Sequence, residues 1–452
     1  MIRIQFIVSS LAVFFGLAFA SIGFGQAYKE DVGFNALLNY NGGVAPADGS
    51  GLTVAMPEAP DGSGRYMGSV SGKTINNGTG TNTGISSHAS TVGRNFFDNS
   101  VSLAPGITDI TGYEAGDYIN RVLNLAGGDP LTTETYDITN HSYIGFAGST
   151  AEKNQVLSRL DFVVNRDNML SVVGTNNSSS NTTPDYLATS YNSIVVGLSN
   201  GNHARGQTSD YGAGRFKPDI VAPSNATSFS TPFVSAGAAL LRSAGVGTNA
   251  EQNEVTKALL FAGATKHEFS DWDRTSTRPV DEVFGFGEMN VFNSYLMLEA
   301  GEFEASTSEP TQLVGDRGYD FDNYSGTGDL FYDVDLIEDG DISAALVWNA
   351  IVNDGDASTA VFDPTVTVAN LDLELYDSSG SFLGSLIDSS VSTDYNYEHI
   401  FIENLSAGRY TFRITGDSAT DFAFAWTAVP EPTGGLLVGL LALAAFGRRR
   451  RV

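Results

Sequence analysis

Residues 215–245 read Arg-Phe-Lys-Pro-Asp-Ile-Val-Ala-Pro-Ser-Asn-Ala-Thr-Ser-Phe-Ser-Thr-Pro-Phe-Val-Ser-Ala-Gly-Ala-Ala-Leu-Leu-Arg-Ser-Ala-Gly, and this stretch decides the fold. A short apolar run closed by a proline predicts a strand, and the small and aliphatic residues after it predict a buried helix that ends at Gly245. We expect Pro232 in the first turn of this helix, where a missing N–H is tolerated. Ser228 lies where loop becomes helix. Either it or Thr227 is a helix N-cap, or Ser228 is a nucleophile whose oxyanion would meet the free N–H groups of that helix end.

Two parts of this stretch resemble the serine motif of the subtilases, the subtilisin-like serine proteases. These parts are Lys217-Pro-Asp-Ile-Val-Ala-Pro223 and Thr227-Ser-Phe-Ser-Thr-Pro-Phe-Val-Ser235. Ala226 stands where the family has Gly. The resemblance implies that Ser228 is the nucleophile of a serine endopeptidase, and it implies a subtilisin-like parallel sheet flanked by helices.

The segment Ser87-His-Ala-Ser-Thr-Val-Gly-Arg94 resembles the subtilase motif His-Gly-Thr-x-Val-(small)-Gly, which begins a helix. Ala89 and Ser90 replace the Gly and Thr of that motif. The resemblance implies that His88 is the general base, and the histidine precedes the serine in the chain, as it does in the family. A lone histidine at a junction of loop and helix can also be structural.

Gly51-Leu-Thr-Val-Ala-Met-Pro-Glu58 predicts a short buried strand that ends at a turn. It is similar to the first core strand of the subtilases, whose terminal Asp orients the catalytic histidine, although the family's Asp-(Ser/Thr)-Gly is absent. The resemblance implies that Glu58 orients His88. A glutamate can do so because the imidazole needs a carboxylate that accepts its Nδ1–H. Asp31 and Asp61 are rivals that do not end an apolar run, and Glu58 could instead be an exposed loop carboxylate.

Leu170-Ser-Val-Val-Gly-Thr-Asn-Asn177 predicts a buried strand that ends in two amides. Subtilases have an Asn after such a strand that helps to hold the oxyanion, and the alignment implies that role for Asn177. Asn176 is the neighbouring alternative, and a plain surface loop is the other interpretation.

Asn140-His-Ser-Tyr-Ile-Gly145 resembles the segment that lines the subtilase substrate channel with backbone groups. The resemblance implies substrate binding at Asn140, Ser142 and Gly145, because an extended peptide can pair with such a segment. We interpret His141 as a wall or surface residue without a catalytic role.

Alternating strands and helical stretches from about residue 50 to residue 260 indicate a parallel α/β sheet, with functional loops at the carboxyl ends of its strands. Residues 119–126 and 251–260 are predicted helices. From about residue 305, apolar residues alternate with polar ones in several short runs, which indicates an antiparallel β-sandwich. This part resembles the jelly-roll domains that follow the catalytic domain in many secreted peptidases. The alternating residues are Tyr332, Val334, Leu336, Leu371, Leu373, Leu375, Tyr410, Phe412, Ile414, Phe422, Phe424 and Trp426.

Both ends of the chain carry export signals. Arg3 and an apolar run that ends in Ala18-Phe-Ala20 predict a secretory signal peptide. Pro-Glu-Pro at 430–432, an uncharged run and Arg448-Arg-Arg-Arg451 resemble the PEP-CTERM sorting signal of Gram-negative bacteria. That resemblance implies an exosortase and the export machinery as partners, and delivery to the outer surface or extracellular matrix. A plain C-terminal membrane anchor is the alternative.

The expected organisation is a signal peptide at 1–26, a lead-in at 27–50, a peptidase domain at 51–304, a β-sandwich at 305–428 and a sorting segment at 429–452. The chain has a formal net charge of −28 and no cysteine, which argues against nucleic acid as a partner and excludes thiol catalysis. The implied acyl transfer needs no cofactor. Five acidic residues are candidate ligands for a structural Ca²⁺, or else form a solvated edge: Asp333, Asp335, Glu338, Asp339 and Asp341.

The sequence therefore predicts a surface-sorted serine endopeptidase that acts on polypeptides. A catalytically inactive surface or matrix-binding protein on the same scaffold is the alternative.

Overall fold

A computed structural model of the chain describes residues 28–81, 84–125, 127–131, 135–308, 313–355, 360–378 and 383–430. The expected signal peptide at 1–26 and nearly all of the expected sorting segment, from residue 431 onward, lie outside the described residues. Within the described part, no helix is both long enough and apolar enough to cross a membrane.

The first part of the chain forms a seven-stranded parallel sheet, which confirms the predicted fold class. The strand order across the sheet is β2-β3-β1-β4-β5-β6-β9, and β7 and β8 form a separate antiparallel pair. The strands are β1 (Thr53–Glu58), β2 (Asn76–Asn77), β3 (Asp109–Glu114), β4 (Ile138–His141), β5 (Leu170–Gly174), β6 (Ile194–Leu198), β7 (Gly206–Gln207), β8 (Phe216–Lys217) and β9 (Ile220–Ala222).

Helices cover both faces of this sheet, so its inner strands β4, β5 and β6 are buried on both sides, as parallel strands usually are. In β1, Val54 and Met56 join a core with residues of α2 and α5, whereas Ala55 between them joins a second core with residues of α4. The helices are α1 (Phe34–Tyr40), α2 (Ser87–Phe97), α3 (Ala115–Asp117), α4 (Thr150–Asp167), α5 (Thr227–Ala244), α6 (Asn253–Gly263) and α7 (Val291–Ala300).

Two local predictions differ from the structure. The helix predicted at 119–126 instead begins as α3 and continues as a π-helical turn over Tyr118–Val122, because Glu114 caps α3 by accepting the N–H groups of residues 116 and 117. The lead-in is also part of the folded core. Phe34 and Leu37 of α1 are buried there, and the Val32 carbonyl accepts the N–H of Val291 at 2.9 Å.

The C-terminal unit, residues 313–430, contains two four-stranded antiparallel sheets. Their strand orders are β10-β19-β12-β17 and β11-β18-β15-β16, and β13 and β14 form a separate hairpin. The predicted alternating residues pack between the two sheets. The strands are β10 (Arg317–Ser325), β11 (Leu330–Leu336), β12 (Gly340–Trp348), β13 (Ile351–Asp354), β14 (Pro364–Thr367), β15 (Leu371–Ser378), β16 (Leu383–Ser390), β17 (Tyr397–Leu405), β18 (Gly408–Gly416) and β19 (Ala419–Pro430).

The C-terminal unit packs tightly against the first part of the chain. In β12, Ala344 and Leu346 face the interior of the sandwich, whereas Ala345 and Val347 join the core that contains α6. Polar contacts cross the same interface, since the Lys266 Nζ donates to the Ser343 Oγ at 3.1 Å. The first sheet of the sandwich is therefore buried on both faces.

Candidate active site

Glu58 and His88 meet at the carboxyl edge of the parallel sheet. The Nδ1 of His88 lies 2.8 Å from the Oε2 of Glu58, which is fully buried at the last position of β1. The predicted alternative of an exposed loop carboxylate is therefore wrong. The other Glu58 oxygen, Oε1, is buried without a hydrogen-bond partner among the described residues. Among the described residues, the Glu58 carboxylate therefore accepts a hydrogen bond from the His88 imidazole alone.

The first turn of α2 positions His88. The Ser86 side chain caps this helix by accepting the N–H of Ala89 at 3.3 Å, and the Ser86 N–H donates to the Met67 carbonyl at 2.8 Å. The His88 side chain remains 36% exposed, so one side of the ring is open to solvent. Because Glu58 holds one ring nitrogen and the rest of the ring is partly exposed to solvent, the imidazole can exchange a proton with a bound molecule.

Burial and ion pairing act in opposite directions on the two groups. Burial lowers the pKa of His88, but the charge and hydrogen bond of Glu58 together outweigh it and leave that pKa above its ordinary value. Burial raises the pKa of Glu58 more than His88 lowers it. The Glu58 carboxylate therefore favours a charged imidazolium beside it, which is the state that a general base reaches after accepting a proton.

Ser228 lies in the first turn of α5, and the interpretation of Ser228 or Thr227 as the N-cap is wrong. The N-cap is Ala226, which has no side chain able to cap, and the cap comes from Asn177 of another segment. The Oδ1 of Asn177 accepts the N–H of Thr227 at 2.8 Å. The expectation for Pro232 is also wrong, because it lies in the second turn and cannot donate to the carbonyl of Ser228, four residues earlier.

The backbone N–H of Ser228 is open for a ligand. The neighbouring N–H groups already donate, that of Thr227 to Asn177 and that of Phe229 to the Ala226 carbonyl at 2.9 Å. Among the described residues, neither the N–H nor the Oγ of Ser228 forms a hydrogen bond, and Ser228 is half-buried. His88 lies at the same edge, since its ring centroid is 5.5 Å from that of Phe229. In an unliganded site, a serine and a base often come within hydrogen-bonding distance only when substrate binds.

Asn177 and Asn176 form different hydrogen bonds. Because the backbone N–H of Thr227 can only donate, the atom of Asn177 that accepts it is Oδ1, and Nδ2 is the donor atom, which has no acceptor among the described residues. Asn176 instead uses its backbone carbonyl to accept the N–H of Ala204 at 2.8 Å. Gly174 lets α5 approach this strand closely, since a Cβ there would lie 2.7 Å from the Oγ1 of Thr231. The Oδ1 of Asn177 thus faces the first residue of α5, and Nδ2 is the donor atom of the same amide.

Residues 140–145 run from the end of β4 into the loop that follows it. The side chains of Asn140 and Ser142 are buried and bonded to each other at 3.0 Å, and Asn140 also accepts from Ser235 of α5. The Gly145 carbonyl accepts the N–H of Tyr186 at 3.1 Å. Both residues are buried whole, Asn140 at 0% exposure and Ser142 at 2%, so neither offers its side chain to a ligand and Asn140 offers no surface at all.

His141 is not a surface residue. It is fully buried, with its Nε2 3.1 Å from the Thr139 Oγ1 and its Nδ1 3.3 Å from the hydroxyl of Tyr143. Burial lowers its pKa to about 3. It therefore stays neutral at physiological pH and cannot act as a surface base.

Two of the acidic residues considered as calcium ligands interact with other side chains. Asp333 accepts from Thr411 at 2.6 Å and pairs with Arg409, whereas Asp341 pairs with His267 at 3.0 Å. In the part of the chain that the structure describes, no group of three or more acidic or histidine side chains is placed to hold a metal. A cavity of about 810 Å³ lies at the opposite edge of the sheet, where Asp137 precedes β4, and so does not belong to this site.

The contacts of two further residues, Phe229 and Asn95, were not predicted from the sequence. The Asn95 Nδ2 donates to the Phe229 carbonyl at 3.1 Å, and Phe229 contacts the imidazole of His88. The available signal was spacing, because Asn95 follows His88 by seven residues and so lies on the same face of a helix.

Comparison with known proteins agrees with this geometry. Residues 67–287 match the model of the subtilase family, Peptidase_S8. The matched segment contains His88, Asn177 and Ser228, whereas Glu58 precedes it. No curated protein sequence matches the chain.

Solved protease structures are similar only at low identity. A protease from Pseudoalteromonas arctica PAMC 21717 is 14% identical, with a TM-score of 0.42 over 60% of this chain and 96% of that one. Fervidolysin from Fervidobacterium pennivorans, a keratinolytic enzyme related to subtilisin, is 12% identical, with a TM-score of 0.37 over 84% of this chain and 74% of that one. MycP1, a serine protease of the type VII (ESX-1) secretion system, is 14% identical, with a TM-score of 0.38 over 59% and 87%. The family match therefore shows that residues 67–287 are similar to the subtilases, the family Peptidase_S8.

Proposed function

We propose that the chain is an exported serine endopeptidase that cleaves polypeptides through an acyl-enzyme on Ser228. The observation that carries the proposal is the 2.8 Å contact of His88 with the buried Glu58, at the same sheet edge as the start of α5. In this mechanism the Ser228 Oγ attacks the peptide carbonyl carbon while the Nε2 of His88 takes its proton. His88 then gives that proton to the leaving amine, and a water molecule repeats both steps to release the acid.

The negative oxygen of the tetrahedral intermediate would be held by two donors, the Nδ2 of Asn177 and the N–H of Ser228. Two features support this assignment. The bond from Thr227 fixes which end of the Asn177 amide is free, and the Ser228 N–H has no acceptor among the described residues. Donors held in place before the reaction stabilise the charge without reorganisation.

The substrate would lie extended along the segment after β4. The chain is half-buried at Ile144, between Ser142 and Gly145, where a peptide of varied sequence could pair with the main chain, whereas the buried Asn140 and Ser142 side chains would hold this segment from within. Gly145 would contribute its backbone, as Tyr186 packs where a side chain would stand: a Cβ at Gly145 would lie 2.5 Å from the Tyr186 ring.

Hydrolysis of fluorescently labelled casein by the wild type and by Ser228→Ala tests this function. We expect cleavage by the wild type and none above background by the variant. The alternative, a binding protein on an inactive scaffold, predicts that both folded proteins leave casein intact, and that result would refute the proposal.

We further propose export through the N-terminal signal and sorting to the outer surface or matrix by an exosortase, with transient or C-terminal membrane association. The support is the sequence of the two ends, with Arg3 before an apolar run and Arg448–Arg451 after another. We also infer that the C-terminal unit is a jelly roll, because consecutive strands from β10 to β12 and from β17 to β19 alternate between its two sheets. Comparing the mass of surface-released protein with that of the full chain would test removal of the tail.

A further inference from the structure

An aromatic ring lies directly against the imidazole of His88. Phe229, the residue after Ser228, has its ring centroid 5.5 Å from that of His88, with the two planes tilted by 35°. Phe229 is half-buried and packs on the main core through α5. The Phe229 ring therefore lies beside the imidazole, and Phe229 directly follows Ser228, the residue whose proton His88 would accept.

Helix α2 fixes both members of this pair. His88 and Asn95 lie two turns apart on the same face of α2, and the Nδ2 of Asn95 donates to the Phe229 carbonyl at 3.1 Å. The N–H of Phe229 donates to the Ala226 carbonyl at 2.9 Å. The Asn95 side chain thus ties the backbone of residue 229 to the helix that carries the imidazole, and the bond to Ala226 holds residue 229 within the first turn of α5.

Glu58 from β1 is the charged group that faces His88, at 2.8 Å. The first turn of α5 has no acidic side chain, and Arg94 lies in the last turn of α2. The face of an aromatic ring is electron-rich and attracts a cation whose centre is within about 6 Å. An imidazolium at His88 would therefore be stabilised from two directions, by a carboxylate and by a ring.

We propose that Phe229 is a positioning residue for His88, whose ring holds the imidazole beside Ser228 and favours the imidazolium formed when Ser228 gives up its proton. This inference rests on the proposed function. The attraction grows with the positive charge on the ring of His88, so it is stronger in the transition state than in the resting enzyme. An interaction accelerates a reaction only when it stabilises the transition state more than the resting enzyme.

Titration of His88 by NMR in folded protein tests the contact without requiring turnover. Phe229→Leu keeps an apolar side chain beside His88 but removes the aromatic ring, and we expect it to lower the pKa of His88 by about 0.3–0.7. Phe229→Tyr keeps the face and should leave the pKa unchanged. The matched control is Phe233→Leu, one turn along α5, whose ring contacts Tyr28 rather than His88. A pKa that is unchanged or raised in Phe229→Leu would overturn the proposal.

The rate of fluorophosphonate labelling of Ser228, measured from pH 5 to pH 9, provides the second readout. We expect Phe229→Leu to label about two- to fivefold more slowly than wild type, with the acid limb of its profile shifted to lower pH. Faster labelling would mean that the ring holds His88 away from Ser228, and would contradict the proposal. Wild-type protein that is never labelled would refute the proposed function instead, while the titration would still decide whether the ring favours the imidazolium.

Discussion

Replacing Glu58 with Gln removes one buried charge at the end of β1 and keeps the shape of the side chain. At a charge separation of about 4 Å and an effective dielectric constant of about 20, the lost attraction to an imidazolium is about 4 kcal/mol. His88 is 36% exposed, so solvent screening reduces this to about half. The new amide adds a second loss. Because Oε1 has no partner in the described part of the chain, the NH₂ group of the glutamine is better satisfied facing the Nδ1 of His88, which moves the imidazole proton to Nε2 and leaves no base for Ser228.

Together these effects predict a loss of roughly 10²–10⁴-fold in kcat/KM for p-nitrophenyl acetate. The matched control is Glu114→Gln, because Glu114 pairs in register with Glu58 at the end of β3 but caps α3 instead of contacting His88. We expect this control to keep its rate, with circular dichroism confirming that both variants fold. An unchanged rate in Glu58→Gln would remove Glu58 from the site and refute the reasoning.

Three further changes have distinct expected outcomes. Asn177→Ala should lower kcat by about 10²–10³-fold, whereas Asn176→Ala should leave it within about twofold; equal losses would remove the assignment of Nδ2. Burial lowers the pKa of the Lys266 amine in the folded protein to about 7. The stability that depends on this group is therefore present above the pKa of the amine in the unfolded chain, and it is lost as pH falls through about 7. Urea unfolding should show stability rising by up to about 1.4 kcal/mol per pH unit between pH 7 and 10, and Lys266→Met should flatten that slope; a variant with the wild-type slope would contradict this. Tyr397→Phe, which removes a 3.0 Å bond to the buried Asp219, should lower the free energy of unfolding by about 1 kcal/mol in a single transition. Two separate transitions would mean that the C-terminal unit folds independently.

Much of the sheet could be predicted because its strands are short apolar runs with clear ends. β1, β5 and β9 lie where the apolar pattern indicated, and α5 is buried as its small uncharged residues implied. The helix end near Ser228 was also predicted to within one residue. These features depend on local sequence, where periodicity is informative.

Long-range contacts were beyond the sequence. Asn177 caps α5 from a segment fifty residues earlier, and nothing local marks it as a cap. The burial of Asn140 depends on Ser235, which approaches only after α5 packs on the sheet. The packing of the C-terminal unit against the first part of the chain has one signal in the sequence. β12 is apolar on both faces, because Ala345 and Val347 join the core outside the sandwich. Alternation with period two indicates only one buried face for a strand.

The most direct test of the account is where a fluorophosphonate reacts. Peptide mapping by mass spectrometry after treatment of the folded protein should place one adduct on Ser228, and His88→Ala should abolish it because the hydroxyl then lacks its base. An adduct on another residue, or equal labelling of wild type and His88→Ala, would contradict the claim that Glu58, His88 and Ser228 work as one catalytic group.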